Sequence, residues 1–142
     1  MQRVLITAGA TGIGREFVRA FAANGAKVFV CDIDDAALAR LAQEIPGLIA
    51  QRCDMSSRLE IARMVPAAVG ALGGLDVLIN NAGVAGLTLP IEQYPPDDWD
   101  KVIAINLTAM FYVSRIAIPH LKTSKAGVII NMSSIAGRFG VK

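Results

Sequence analysis

Five short apolar runs alternate with longer amphipathic ones along these 142 residues. The short runs are RVLIT (3–7), AKVFVCD (26–32), GLIAQRCD (47–54), LDVLINNAG (75–83) and AGVIINMSS (126–134). Each reads as a strand that closes on glycine or a small polar residue. The intervening stretches read as helices. Residues 13–25 end at Gly25, and 34–45 begin with acids, which the helix dipole favours there. Residues 56–72 begin at a Ser56 cap, with Glu60 in the first turn and Pro66 expected to kink or divide the helix. Residues 96–121 form a long helical region expected to break late, at Pro119. Alternation of this kind predicts an α/β fold, with an open, doubly wound parallel sheet and right-handed crossovers.

Composition agrees with that sheet. The chain is 54% hydrophobic and 18% charged, as strands buried on both faces require. The best alternative, a membrane helix, fails on length. The run 102–114 lies between Lys101 and Arg115, is shorter than the roughly 20 residues of a span, and contains Asn106. No membrane partner is therefore expected. The 14 basic and 12 acidic residues are scattered, so no nucleic-acid surface is expected either. A strand-like run starts by residue 4, where a secretory signal would place a longer apolar segment, so a cytoplasmic location is expected. Cys31 and Cys53 lack metal or redox spacing and read as reduced, partly buried thiols. His120 has no second ligand-type residue one helical turn away, and no metal site is expected.

In open α/β sheets ligands bind at the carboxyl ends of the strands. The site-like residues fall there: 7–14, Asp32, Asp54, 80–83, Ser133 and Ser134. TAGATGIG (7–14) joins strand one to helix one. Gly9, Gly12 and Gly14 can take positive φ or admit a ligand to bare backbone. The helix start then offers unpaired N–H groups to a phosphate. Asp32 ends strand two, 18 residues past Gly14, where an acid can bind ribose hydroxyls and repel a 2′-phosphate. That favours NAD over NADP, with Arg15 as the counter-argument. Capping the next helix is a compatible second role for Asp32. Asp54 sits where an adenine edge would lie, and a turn acid is the alternative reading. Asn106 lies in an otherwise apolar run, VIAINLTAMF, so its amide is either a structural tie or part of a site.

Together these residues resemble the N-terminal part of a short-chain dehydrogenase/reductase. That family's TGxxxGxG motif appears at 7–14, with Ala8 in place of the first glycine. Its NNAG motif stands at 80–83, its adenine aspartate at Asp54 followed by Met55, its helix asparagine at Asn106, and its catalytic serine at Ser134. The resemblance implies a three-layer Rossmann-type domain over 1–142 with strand order 3-2-1-4-5. It implies cofactor contacts from Gly9, Thr11, Gly12, Ile13, Gly14, Asp32, Ile33, Asp54, Met55, Asn81, Ala82 and Gly83.

The family's serine works with a tyrosine and a lysine in YxxxK, roughly a dozen residues further on. Tyr94 and Tyr112, the tyrosines present, precede no lysine at that spacing. The expectation is a C-terminally incomplete enzyme with a complete cofactor half. For the intact parent the resemblance implies hydride transfer between a nicotinamide cofactor and a small alcohol or carbonyl substrate. Ser134 would bond the substrate oxygen, and Asn106 would hold a water relay. A non-catalytic dinucleotide-binding sensor or regulatory module is the alternative. The substrate is left open. The run 103–118 is apolar on more than one face, so a homo-oligomer, tetramer or dimer, is expected.

Overall fold

The computed structural model describes residues 1–138. Strands β1 (Arg3–Thr7), β2 (Lys27–Asp32), β3 (Ile49–Arg52), β4 (Val77–Asn80) and β5 (Val128–Asn131) form one parallel sheet in the order β3-β2-β1-β4-β5. Alternate side chains serve opposite faces, as the two-residue strand period requires. Val4, Ile6, Val28, Val30, Val77 and Ile79 pack with helices α1 (Gly12–Ala23) and α2 (Asp35–Glu44). Leu5, Phe29, Cys31 and Leu78 pack with α3 (Arg58–Leu72) and with α5 (Ala109–Leu121), which follows α4 (Pro96–Ile103).

Of the two outcomes expected at Pro66, division of the helix does not occur, while the helix that holds Pro119 ends two residues later, at the expected Leu121. Pro66 lies within an uninterrupted α3, and α5 runs through Pro119 to Leu121. Proline costs a helix one backbone bond and a clash with the carbonyl four residues back. Pro66 and Ala62 are both exposed, so water can take the freed carbonyl, while Ile61, Met64, Val65 and Ala68 anchor α3 to the sheet. Pro119 and Arg115 are likewise exposed, two residues before the helix ends.

Between α4 and α5 the helix widens into a π turn, Ala104–Thr108. By length and composition the whole stretch Pro96–Leu121 matches a membrane span. Its stripe Ala109, Val113, Ala117 and Leu121 is nonetheless buried on the sheet, while Leu107 and Phe111 stay about 60% exposed. At the opposite end of the sheet from the strand tips, Asp76 clamps β1 to β4. Its carboxylate accepts Arg3 N and Nε at 2.9 Å, Arg3 Nη2 at 2.7 Å and Ser124 Oγ at 2.7 Å. The Arg3 guanidinium holds the Asp76 carboxyl well below the usual carboxylate range.

Candidate functional site

The turn after β1 is built by packing more than by glycine flexibility. Of its three glycines only Gly12 has positive φ, +54°. The other left-handed residue is Ala8, at φ +49°. Gly9 and Gly14 are needed for lack of room. A Cβ on Gly9 would come 2.5 Å from Val30 Cγ2, and one on Gly14 would strike the Ala8 carbonyl and lie 2.5 Å from Asn81 Nδ2. Asn81 straps this turn to the end of β4: Nδ2 donates to Thr7 O at 3.1 Å and Ala8 O at 2.8 Å. Thr7 Oγ1 in return accepts the amides of Asn81 at 3.0 Å and Ala82 at 3.1 Å. The hydroxyl of Thr7, which sequence reasoning treated only as part of the motif, therefore orients two of the NNAG residues.

Helix α1 starts without a cap. Thr11 occupies the cap position but its side chain accepts no capping bond, and the first turn holds no acid. Arg15 N makes the first helical bond, to Thr11 O. The amides of Gly12, Ile13 and Gly14 thus lack helical partners, as at any helix start. An open, positively polarised helix start of this kind fits a dinucleotide's pyrophosphate. Asp32, buried to 7% exposure, supports the turn: Oδ2 accepts Ala10 N at 3.0 Å and Oδ1 accepts Asp34 N at 3.1 Å. The α2 cap is Asp34, which takes Ala37 N at 2.9 Å.

A cavity of about 400 Å³ runs beside this turn, lined by Thr11, Ile13, Asp32, Ile33, Asp54 and Met55 among others. Asp54 is the turn acid that spacing allowed. Its Oδ1 accepts Ser56 Oγ at 2.7 Å and Ser56 N at 2.8 Å. Those bonds, with Arg52 and Lys101 nearby, hold its carboxyl below the ordinary range. The cap of α3 is Ser57 rather than Ser56; Ser57 Oγ accepts Glu60 N at 3.3 Å. Cys31 and Cys53 are free and buried, and Cys53 contributes to this cavity's wall.

A second cavity, about 710 Å³, adjoins the first and shares its walls at Ile13, Asn81, Ala82, Gly83 and Val84. Its far side holds Asn106, Met110, Ser133 and Ser134. Ser134 ends the segment after β5; its Oγ accepts Ala136 N at 3.2 Å, which leaves its proton free to donate outward. Asn106 sits in the π turn, a feature often found at functional sites. Its amide is a tie: Nδ2 donates to Val84 O at 2.9 Å, and Oδ1 accepts Val84 N at 2.8 Å. The side chain is therefore engaged with the loop after NNAG rather than open for a water.

Sequence reasoning missed the triad beneath the serine. Asn80 Nδ2 donates to Asn131 Oδ1 at 2.8 Å and Ser114 Oγ at 3.0 Å, joining β4, β5 and α5 just below Ser133 and Ser134. Asn80 and Asn131 stand opposite each other in the β4–β5 register. The signal was two asparagines at the ends of strands four and five, neighbours in the strand order that the resemblance implied.

The sequence matches the short chain dehydrogenase family over residues 2–142. The chain belongs to that family. Among its relatives, D-beta-hydroxybutyrate dehydrogenase of Cupriavidus necator is 41% identical, over 94% of this chain and 53% of its own. The 2-dehydro-3-deoxy-L-rhamnonate dehydrogenase (NAD(+)) of a Sphingomonas species is 34% identical, over 96% and 55%. A crystal structure of a 3-ketoacyl-ACP reductase from Sinorhizobium meliloti superposes with a TM-score of 0.89 at 36% identity, over 94% of this chain and 54% of that one. The chain spans about half the length of these relatives.

Proposed function

We propose that the protein carrying this chain is an NAD-dependent oxidoreductase acting on a small secondary alcohol or its ketone. The observation that carries the reading is the pair of adjoining cavities, one at Asp32, Asp54 and the uncapped start of α1, the other at Ser134. Dehydrogenase and reductase relatives favour catalysis over a non-catalytic dinucleotide sensor. In this reading residues 1–142 form one dinucleotide-binding domain. The amides of Gly12, Ile13 and Gly14 hold the pyrophosphate, and Gly9 and Gly14 keep the turn thin. Asp32 and Ile33 flank the adenosine ribose. Asp54 and Met55 receive the adenine edge. Asn81, Ala82 and Gly83 line the passage to the nicotinamide end.

The bound nicotinamide supplies or accepts a hydride. Ser134 donates its hydroxyl proton in a hydrogen bond to the substrate oxygen and so steadies charge that develops there. Asn106 fixes the Val84 loop that walls the pocket, so any water held here falls to its main chain. Neither tyrosine lines the cavity that holds Ser134. The Tyr94 hydroxyl accepts Leu87 N at 3.1 Å, and the Tyr112 ring packs against Arg58. The buried Asp32 carboxylate, already holding two amides, repels a 2′-phosphate and gives the preference for NAD over NADP.

A self-association surface belongs to the same reading. Leu107, Phe111 and Ile118 form an exposed apolar face on the helix that covers the sheet. Pairing of this face with a second copy makes the protein a homo-oligomer, dimer or tetramer, in the cytoplasm. The test of function is kcat/KM of the full protein with NAD and NADP over a panel of secondary alcohols. NAD-dependent turnover that falls by orders of magnitude in Ser134→Ala supports the reading. Equal turnover in that variant contradicts it.

A further inference from the structure

Glu60 is not among the residues assigned above, yet it contacts the adenine end of the cleft through one bond. In an ordinary capping box the glutamate three residues into a helix returns to the backbone N–H of the cap residue. Half of that box is present, since Ser57 Oγ accepts Glu60 N at 3.3 Å. The other half is redirected. Ser57 N donates instead to Asp54 O at 3.0 Å. Glu60 Oε2 reaches past it and accepts Asp54 N at 2.8 Å. Asp54 is thereby fixed at its amide by Glu60, at its carbonyl by Ser57, and at Oδ1 by both donors of Ser56. Glu60 is itself steadied by Arg52 Nη1 at 3.3 Å.

We infer that Glu60 is a positioning residue for base recognition: by holding the Asp54 main chain it aims the remaining carboxylate oxygen, Oδ2, at the 6-position of the purine. The inference rests on the reading of this cavity as the adenine site. An ionised carboxylate only accepts hydrogen bonds. Oδ2 therefore takes an amino group and opposes a carbonyl at the same place. The cleft selects a 6-aminopurine dinucleotide over its 6-oxo analogue to the extent that Asp54 cannot turn away. A glutamate that merely capped α3 would affect folding stability and leave that choice untouched.

The test is the dissociation constant of NAD and of nicotinamide hypoxanthine dinucleotide, measured calorimetrically on the same sample. Wild type, Glu60→Gln and Glu60→Ala are compared. A ratio taken on one sample is insensitive to partial unfolding, which scales both affinities alike. Wild type should favour NAD by about tenfold or more, as for a hydrogen bond to a charged group. Glu60→Ala should bring the ratio to about twofold or less. Glu60→Gln keeps a carbonyl acceptor for Asp54 N and should retain most of the discrimination. A wild-type ratio kept in Glu60→Ala, with lowered stability alone, overturns the inference and leaves Glu60 a cap. A wild-type ratio near one overturns the placement of adenine at Asp54 as well, so the two failures are distinct.

Discussion

Replacing Ala8 by glycine should stabilise the domain, although it deletes a side chain. Ala8 holds φ +49° in the turn between β1 and α1. A left-handed conformation costs an alanine about 1–2 kcal/mol, which glycine escapes. Glycine also loosens the unfolded chain, which takes back about 0.4–1 kcal/mol. Loss of one partly buried methyl takes back a few tenths more. The Ala8 carbonyl, which accepts Asn81 Nδ2 at 2.8 Å, is untouched by the change. The net gain is about 0.5 kcal/mol, or roughly 2 °C in melting temperature for a domain of this size. Urea and thermal unfolding followed by circular dichroism, at one protein concentration, measure it. NAD affinity should stay within about twofold, because Gly9, Gly12 and Gly14 keep their places. Destabilisation by about 1 kcal/mol or more would refute the argument, by showing that the backbone here carries no strain that glycine relieves.

Thr7→Val should cost about 2–4 kcal/mol, since the amides of Asn81 and Ala82 lose their shared acceptor while the shape is kept; Thr7→Ser should recover most of it, read by urea unfolding. Gly14→Ala should abolish NAD binding by calorimetry, because its Cβ would strike the Ala8 carbonyl and displace Asn81. Acid should weaken the fold through Asp76. Its folded-state pKa is depressed by Arg3, so its contribution is full above the ordinary carboxylate value and is lost as pH falls below it. Asp76→Asn should flatten the stability–pH curve in that acid range and be indistinguishable in slope near neutrality. Light scattering should show the proposed self-association of the wild-type protein and its loss in Phe111→Asp, given that Phe111 is 60% exposed on the apolar helix face.

The alternation of apolar runs made the sheet legible, because strands buried on both faces leave uninterrupted runs such as 3–7 and 26–32. Which strand ends become neighbours came from the family resemblance rather than from the runs themselves, and the implied order 3-2-1-4-5 is the one observed. The pairing of Asn80 with Asn131 depends on β5 lying beside β4, a contact across 51 residues of chain. Pro66 does not divide α3, and Pro119 lies two residues before α5 ends. Helix breaking was judged locally, whereas Ile61, Met64 and Val65, and likewise Ala117 and Leu121, anchor the helices from the buried side. The glycines were read as sites of positive φ or of ligand approach; Gly12 has positive φ, and Gly9 and Gly14 are also space requirements set by Val30 and Asn81, residues distant in sequence. Asn106 was rightly singled out as a polar residue in an apolar run. Its partner, the Val84 backbone, could be found only in three dimensions.

The central claim is that the cleft at the carboxyl ends of the strands binds the dinucleotide with adenine at Asp54 and nicotinamide toward Ser134. Titrating isotope-labelled protein with NAD and following backbone amide shifts tests it most directly. The account predicts the largest shifts at Gly12, Ile13 and Gly14, at Ile33 and Met55, and at Ala82 and Gly83, with Ser134 responding to NAD but not to AMP. Shifts centred instead on the cavity at the other end of α1, around Ala23, Ile45 and Leu48, would contradict it.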